Sequence, residues 1–344
     1  MSDINNIEDD IITQEIDTLK GMGPVSAKKF KQEGIVTIMD LASNTTIEVA
    51  ERVNMNRETL SSFILQAQEV LKENGVLERQ IVPARRILEK RKTLNRLSLG
   101  CKSLDEITFG GIETQAMTEF YGEFGSGKSQ ICFTLCAMVS QPLDLGGLGG
   151  SAIFIDTEGT FRPDRIQQMA ISRGFDPDSV IDNIQYVKIY NASHLQLTVR
   201  DIPKYITEHN SKLIIIDSIV SLHRAEFTGR GTLSERQQKL NSILHKLLRI
   251  AEIYNVAVVV TNQVITSPGN LFGDPLIPAG GNIIGHTSTY RIYLRKSGRN
   301  RIFRIIDSPS HPTSDARFTV NEKGTDEVED EPKKRKITED DDEV

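Results

Sequence analysis

The run Met117-Thr-Glu-Phe-Tyr121 passes straight into Gly122-Glu-Phe-Gly125-Ser-Gly127-Lys128-Ser129, and a helical stretch follows at once. A strand, a glycine-rich turn ending in Lys-Ser, and a helix together predict a phosphate-binding loop. Glycines let the backbone wrap phosphates with N–H donors, a lysine in this place reaches the β and γ phosphates, and the serine hydroxyl takes a magnesium ligand position. The pattern assigns Gly122, Glu123, Phe124, Gly125, Ser126, Gly127, Lys128, Ser129 and Gln130 to nucleotide binding, with Lys128 also serving the chemistry and Ser129 the metal. Average residue usage produces such a match on the order of once in a hundred chains of this length, before the strand and helix are counted.

The surrounding pattern says what kind of sheet carries the loop. Met117 to Tyr121, Ala152 to Ile155, Leu213 to Ile216 and Val256 to Val260 are short apolar runs alternating with helical stretches. That alternation predicts an α/β core around a mainly parallel, twisted sheet. Tyr290 to Leu294 and Ile302 to Ile306 flank Ser297-Gly298-Arg299-Asn300 and read as a hairpin at the sheet edge. A phosphate loop needs a metal-ordering acid at the end of a buried strand, and Asp217, closing Leu213-Ile-Ile-Ile216, fits as the second magnesium ligand. Glu158, just past the run Ala152 to Ile155, fits as the group that orients or deprotonates water. In isolation it reads more readily as a surface glutamate.

The chain of 344 residues suits one sizeable core plus an accessory module. Residues 1–10 form a polar, acidic arm. Residues 11–75 read as a small all-α helix-hairpin-helix domain around Gly21, Gly23 and Gly34, with Lys28 and Lys29 beside the turn. Such a hairpin either aims backbone N–H groups at DNA phosphate or simply packs. Residues 76–96 are charged, contain Pro83 and read as a linker; 97–321 are the ATPase core; 322–344 are an acidic disordered tail.

From Glu322 to Val344 eleven acids and five bases account for the whole net charge of −6, so the body is neutral and the global sign decides nothing about nucleic acid. Lys333-Lys-Arg-Lys336 within the tail is either a solvated strip or an address or partner signal. No apolar run approaches the roughly 18 residues of a membrane span, and the polar start does not read as a signal peptide. Cys101, Cys132 and Cys136 have no zinc spacing and suit a reducing compartment, the last two as buried hydrophobes on a helix.

Phe120 to Ser129, Asp156 to Arg165, Leu213 to Ser218, Thr261-Asn262-Gln263-Val264 and Gly280-Gly281-Asn282-Ile283 closely resemble the archaeal RadA recombinases and their eukaryotic relatives, the RecA/RadA family. The resemblance covers roughly Leu19 to Val320. It implies a RecA-like fold and an ATP-dependent, DNA-stimulated strand exchange in recombination and repair. It implies Glu158 as the catalytic glutamate, Gln263 as the sensor linking the γ-phosphate to DNA, and Arg165 stacked on adenine. Asp307-Ser308-Pro309 would lie over a neighbouring protomer's nucleotide, with a monovalent cation near Asp307.

Two loops would line the DNA channel, Arg224 to Glu235 with Arg224, Phe227 and Arg230, and Ile265 to Ile284 with Phe272, Gly280 and Gly281. Arginine contacts to backbone and apolar wedges between bases are sequence-tolerant; without the resemblance these are also ordinary long loops. Where family members tether protomers with a phenylalanine, two intervening residues and an alanine, this chain has Ile81-Val82-Pro83-Ala84, so Ile81 offers less area than an aromatic ring. The implied partners are single-stranded DNA, homologous duplex and further copies of the chain in a filament or ring. The implied cofactors are ATP and Mg2+, and the implied place is the cytoplasm, at the nucleoid. A ring motor or a non-exchanging ATP-binding relative would share the core, although the N-terminal hairpin and two complete loops speak against the latter. A small-molecule kinase would share the phosphate loop but needs a lid that no segment supplies.

Overall fold

The computed structural model describes residues 11, 14–75, 81–222, 233–266, 276–280 and 282–329. The N-terminal unit holds Pro24–Gln32 (α1), Ile38–Ala42 (α2), Thr46–Val53 (α3) and Arg57–Glu73 (α4), with a 3-10 turn at Ile16–Thr18 ahead of the Gly21 to Gly23 turn. Local chemistry sets the starts. Pro24 opens α1, where a missing N–H costs nothing. Thr37 and Asp40 cap α2 reciprocally, and the Glu58 N–H donates to Asn56 Oδ1 (2.8 Å) ahead of α4. Leu60, Phe63, Ile64, Ala67 and Leu71 make one apolar stripe of α4, which buries against Phe30, Ile38, Leu41 and Val49. Lys28 and Lys29 stand exposed on α1.

Residues Ala84–Lys92 form a helix (α5) inside the stretch expected as linker, and none of its side chains is buried. Ile81 before it is 94% exposed. The core continues through Arg96–Leu97 (β1), Lys102–Ile107 (α6), Ile112–Glu113 (β2), Ala116–Gly122 (β3), Lys128–Val139 (α7), Ser151–Asp156 (β4), Pro163–Arg173 (α8), Pro177–Asp182 (α9) and Ile184–Lys188 (β5). Then come Ala192–His209 (α10), Ser211–Asp217 (β6), Leu233–Tyr254 (α11), Ala257–Asn262 (β7), Val264–Thr266 (β8), Leu276–Pro278 (β9), Asn282–Thr287 (α12), Tyr290–Ser297 (β10), Asn300–Asp307 (β11), Asp315–Asn321 (β12) and Gly324–Asp326 (β13).

Among the described residues a nine-stranded sheet runs β13-β12-β11-β10-β3-β7-β6-β4-β5. The pairings among β10, β3, β7, β6, β4 and β5 are parallel, and those from β10 out to β13 antiparallel. Strands β3, β4 and β7 are buried at every position, as strands covered on both faces must be. One face packs Phe120, Phe154, Leu213 and Val259 under α7 and α8; the other packs Met117, Ile155, Ile214 and Val258 under α10 and α11. Helix α11 also receives the N-terminal unit: Arg249 Nη1 donates to the Ser43 carbonyl (2.6 Å), and Tyr254 packs against its core.

Two expectations need correction. The β10–β11 hairpin is not the sheet edge, because β12 and β13 extend the sheet, with Phe303 and Phe318 buried beneath. Nor does the tail begin at Glu322. Arg173 donates to the Lys323 and Thr325 carbonyls (2.8 and 2.7 Å), and the Thr325 N–H finds Thr134 Oγ1 (3.1 Å). The Glu327 carboxylate then accepts the Ser103 N–H at 2.7 Å. The acidic composition hid this strand, which is held by backbone groups rather than by apolar side chains. Residues 1–10 and 330–344 lie outside the described residues. The three cysteines are buried and unpaired, and burial pushes the Cys101 thiol up to about 11.

Candidate nucleotide site

The carboxyl ends of β3, β4, β6 and β7 meet at one place, where a parallel sheet of this kind opens to a ligand. The loop between β3 and α7 occupies the centre. A Cβ on Gly122 would sit 2.0 Å from the Leu294 carbonyl oxygen of β10, so only glycine lets the strand run this close before it turns. Gly127 caps α7 with φ +106°, a conformation that leaves the first N–H groups of a 12-residue helix facing the loop.

A cleft of about 890 Å³ opens here, lined by Gly122, Glu123, Phe124, Gly125, Gly127, Lys128, Ser129 and Gln130 from the loop, and by Glu158, Thr160, Asp217, Gln263 and Arg301 opposite. Ser126 is buried beneath, its hydroxyl without a partner among the described residues. The Thr160 hydroxyl and Arg301 Nε are buried and partnerless in the same way. Polar groups left open around one hollow fit a polar ligand. A second hollow of about 820 Å³, bounded by Cys101, Asp105 and Arg173, carries no comparable loop.

Lys128 Nζ donates to the Gly122 and Glu123 carbonyls (2.9 and 3.0 Å), holding its ammonium inside the loop. Burial lowers its pKa, against the opposing pull of Asp217 and Glu158. Ser129 Oγ donates to Asp217 Oδ2 at 2.7 Å, and Thr261 Oγ1 donates to Asp217 Oδ1. Asp217 is 2% exposed, and burial raises its pKa despite those two hydroxyls; Glu158 pushes it further up and Lys128 pulls it down. Ser129 and Asp217 are oxygen donors to a hard divalent cation, and a cation there would relieve the desolvated carboxylate.

Glu158 Oε1 accepts from Ser218 Oγ (2.7 Å) and from Gln263 Nε2 (2.9 Å), so β4, β6 and β7 each contribute to its position. Its loop hangs on Asp156, a fully buried residue to which the sequence assigns no role of its own. Asp156 Oδ1 accepts the N–H groups of Glu158, Gly159 and Thr160 (3.0, 2.7 and 3.2 Å), and Oδ2 that of Phe161 (3.1 Å). An acid closing an apolar strand ahead of a glycine was the available signal. Ser218, Thr261, Thr160 and Arg301 likewise have no role that the sequence assigns, since a lone hydroxyl or arginine carries no spacing signature.

Arg165 stands at the rim. Its Nε donates to Gln130 Oε1 (3.0 Å), and its guanidinium is held by the carbonyls of Asn321 and Glu322. Asp307 and Pro309 are exposed and do not line this cleft. Lys28, Lys29, Ile81 and Ala84 likewise do not line it. Gly280 lies just past β9 with φ +88°, where an added Cβ would meet Ile284 and Val220. Arg224, Phe227, Arg230, Phe272 and Gly281 fall outside the described residues. Among the described residues no group of three or more His, Cys, Asp or Glu could hold a metal, so a cation here would draw on hydroxyl and nucleotide oxygens as well.

A mainly parallel sheet, a phosphate loop at its centre and a strand-end acid hydrogen-bonded to the loop serine define a RecA-like phosphate-loop ATPase. The sequence model of the Rad51 family matches residues 90–328. The DNA repair and recombination protein RadA of Cenarchaeum symbiosum (strain A) is 45% identical over 316 residues, 92% of this chain and 79% of that protein. The chain belongs to the Rad51 family.

Proposed function

We propose that the cleft binds ATP and hydrolyses it with water set by Glu158, in an assembly wound on single-stranded DNA. Membership in the family makes the chain a DNA-dependent ATPase that exchanges DNA strands in recombination and repair. The observation that carries the site assignment is the shared oxygen: Glu158 Oε1 is held by Ser218 on one side and by Gln263 on the other. Gln263 directly precedes β8, which leads into the second loop. A base and a sensor on one atom put the reacting end of the nucleotide and a DNA loop in direct communication.

In this reading the α7 N-terminus, Lys128 and the loop N–H groups take the phosphates, and Ser129 and Asp217 hold Mg2+. The metal supplies charge neutralisation at the phosphates when bound. Glu158 orients water and accepts its proton, while Arg165 packs on the base. Asp307 and Pro309, exposed and away from their own cleft, support a site shared between protomers, with a monovalent cation near Asp307. Ile81 and Ala84, exposed ahead of and at the start of α5, serve as the tether in a homo-oligomer. Arg224, Phe227, Arg230, Gly280 and Gly281 contact the strand, and Lys28 and Lys29 contact duplex phosphate. No helix among the described residues is long and apolar enough to cross a membrane, and we place the activity in the cytoplasm, at the nucleoid.

Electron microscopy of the protein with ATP and a single-stranded oligonucleotide, paired with a strand-exchange assay, tests the reading. Nucleotide-dependent helical filaments and exchange are expected. Binding of ATP with neither filament nor exchange would overturn it.

A further inference from the structure

Strand β3 carries a charge where none is required by its packing. Glu119 is fully buried in the middle of that strand, three residues ahead of Gly122. A carboxylate out of water survives only with donors aimed at it, and here they come from two other strands. Asn262 Nδ2, at the end of β7, donates to Glu119 Oε1 at 2.8 Å. Arg291 Nε, on β10, donates to Glu119 Oε2 at 2.8 Å, with its guanidinium carbon 5.5 Å over the Tyr121 ring.

Each donor also holds an end of the loop between β7 and β10. Asn262 Nδ2 donates a second bond to the Ala279 carbonyl (2.8 Å), while the Ala279 N–H donates to the Gln263 carbonyl (2.8 Å). Arg291 presses on α12, the helix after the loop: a Cβ on Gly285 would stand 2.8 Å from Arg291 Nη1. Asn262 is therefore tied at once to the carboxylate of β3, to the returning end of the loop and, through the chain, to Gln263 on Glu158. Its Oδ1 remains buried without a donor among the described residues, so the cluster is not saturated in this arrangement.

We infer that Glu119 is a positioning residue that couples the second loop to the phosphate loop, with Asn262 and Arg291 as its two arms. A buried ion pair is a weak source of stability but an effective device for fixing register between elements. Movement of the loop ends on DNA would displace Asn262 or Arg291, and the strain would pass to β3 and Gln263. The inference rests on the proposed roles of the second loop and Gln263, and it adds the link between them.

The test compares full-length protein with Glu119→Gln, Gly285→Ala and Gln263→Asn, measuring ATP hydrolysis with and without a dT oligonucleotide and oligonucleotide affinity in ATP against ADP. Glu119→Gln removes the charge. Gly285→Ala leaves Glu119, Asn262 and Arg291 intact but forces the guanidinium aside, so it serves if the first variant does not fold. Either folded variant should keep DNA-free hydrolysis within about twofold while DNA stimulation falls about tenfold or more, and the ATP-dependent gain in affinity should shrink alongside. Full stimulation in both, with Gln263→Asn impaired, would overturn this inference alone. Equal loss of DNA-free and stimulated rates would also overturn it, by placing the effect at the phosphate loop. Full stimulation in Gln263→Asn would instead sink the sensor reading on which it stands.

Discussion

Replacing Glu158 by glutamine removes a proton acceptor while leaving nearly everything else in place. The side chain keeps its length, and a glutamine oxygen can still accept from Ser218 Oγ and Gln263 Nε2, which meet the glutamate oxygen at 2.7 and 2.9 Å. Each bond loses its charged acceptor, but at an exposed side chain water offsets most of that loss. Glu158 is exposed in the cleft and carries no core packing, so stability should stay within about 0.5 kcal/mol. Nucleotide affinity should also hold, because Lys128, Ser129 and Asp217 are untouched. The chemical step loses general-base assistance, worth roughly 10²- to 10⁴-fold, or about 2.7–5.5 kcal/mol of barrier. Single-turnover hydrolysis of bound ATP should therefore slow at least a hundredfold, by that same estimate. Lys128→Ala should fail earlier, at nucleotide binding, measured by titration with a fluorescent ATP analogue. Wild-type single-turnover rates in Glu158→Gln would refute its assignment as the base.

Mixing Lys128→Ala with Asp307→Ala protein should restore part of the ATPase, since a head-to-tail interface would pair one intact half from each; no recovery at any ratio, with assembly confirmed, counts against a shared site. Asp217→Asn should raise the melting temperature of nucleotide-free protein at pH 7, at about 2–4 °C per kcal/mol for a domain of this size. The sign follows from burial: a carboxyl with a raised folded pKa binds protons more readily folded than unfolded, so its contribution to stability falls as pH rises through the window between the two values and is least favourable at neutral pH. The same variant should lose Mg2+-dependent ATP binding, and a lower melting temperature would contradict the desolvation account. Deleting residues 330–344 should leave melting and strand exchange intact. Deletion from Glu322 should cost several kcal/mol, because it removes β13, strips the half-buried Arg173 of its carbonyl partners at Lys323 and Thr325, and uncovers the Thr134 hydroxyl; equal melting of the two truncations would show that β13 is dispensable.

The amino-acid order alone determined the class of fold and the centre of the site. Glycines ahead of Lys128 and Ser129 are tied to a backbone shape and to phosphate at short range, and an acid closing a buried apolar strand has few places to go, so neither needed distant residues to be recognised. The same holds for the four buried parallel strands, whose apolar runs are continuous because both faces are covered. Strands β5, β12 and β13 were not legible: β5 and β13 are short strands at the two edges, β12 buries only Phe318 fully, and β13 is held by Arg173 and Thr134 from far along the chain. Asp156 as the hanger for Glu158, and Glu119 joined to Asn262 and Arg291, were decided only by the tertiary structure. A buried polar side chain has no periodicity of its own; its role depends on which donors the topology brings within about 3 Å, and those come from strands up to 172 positions away.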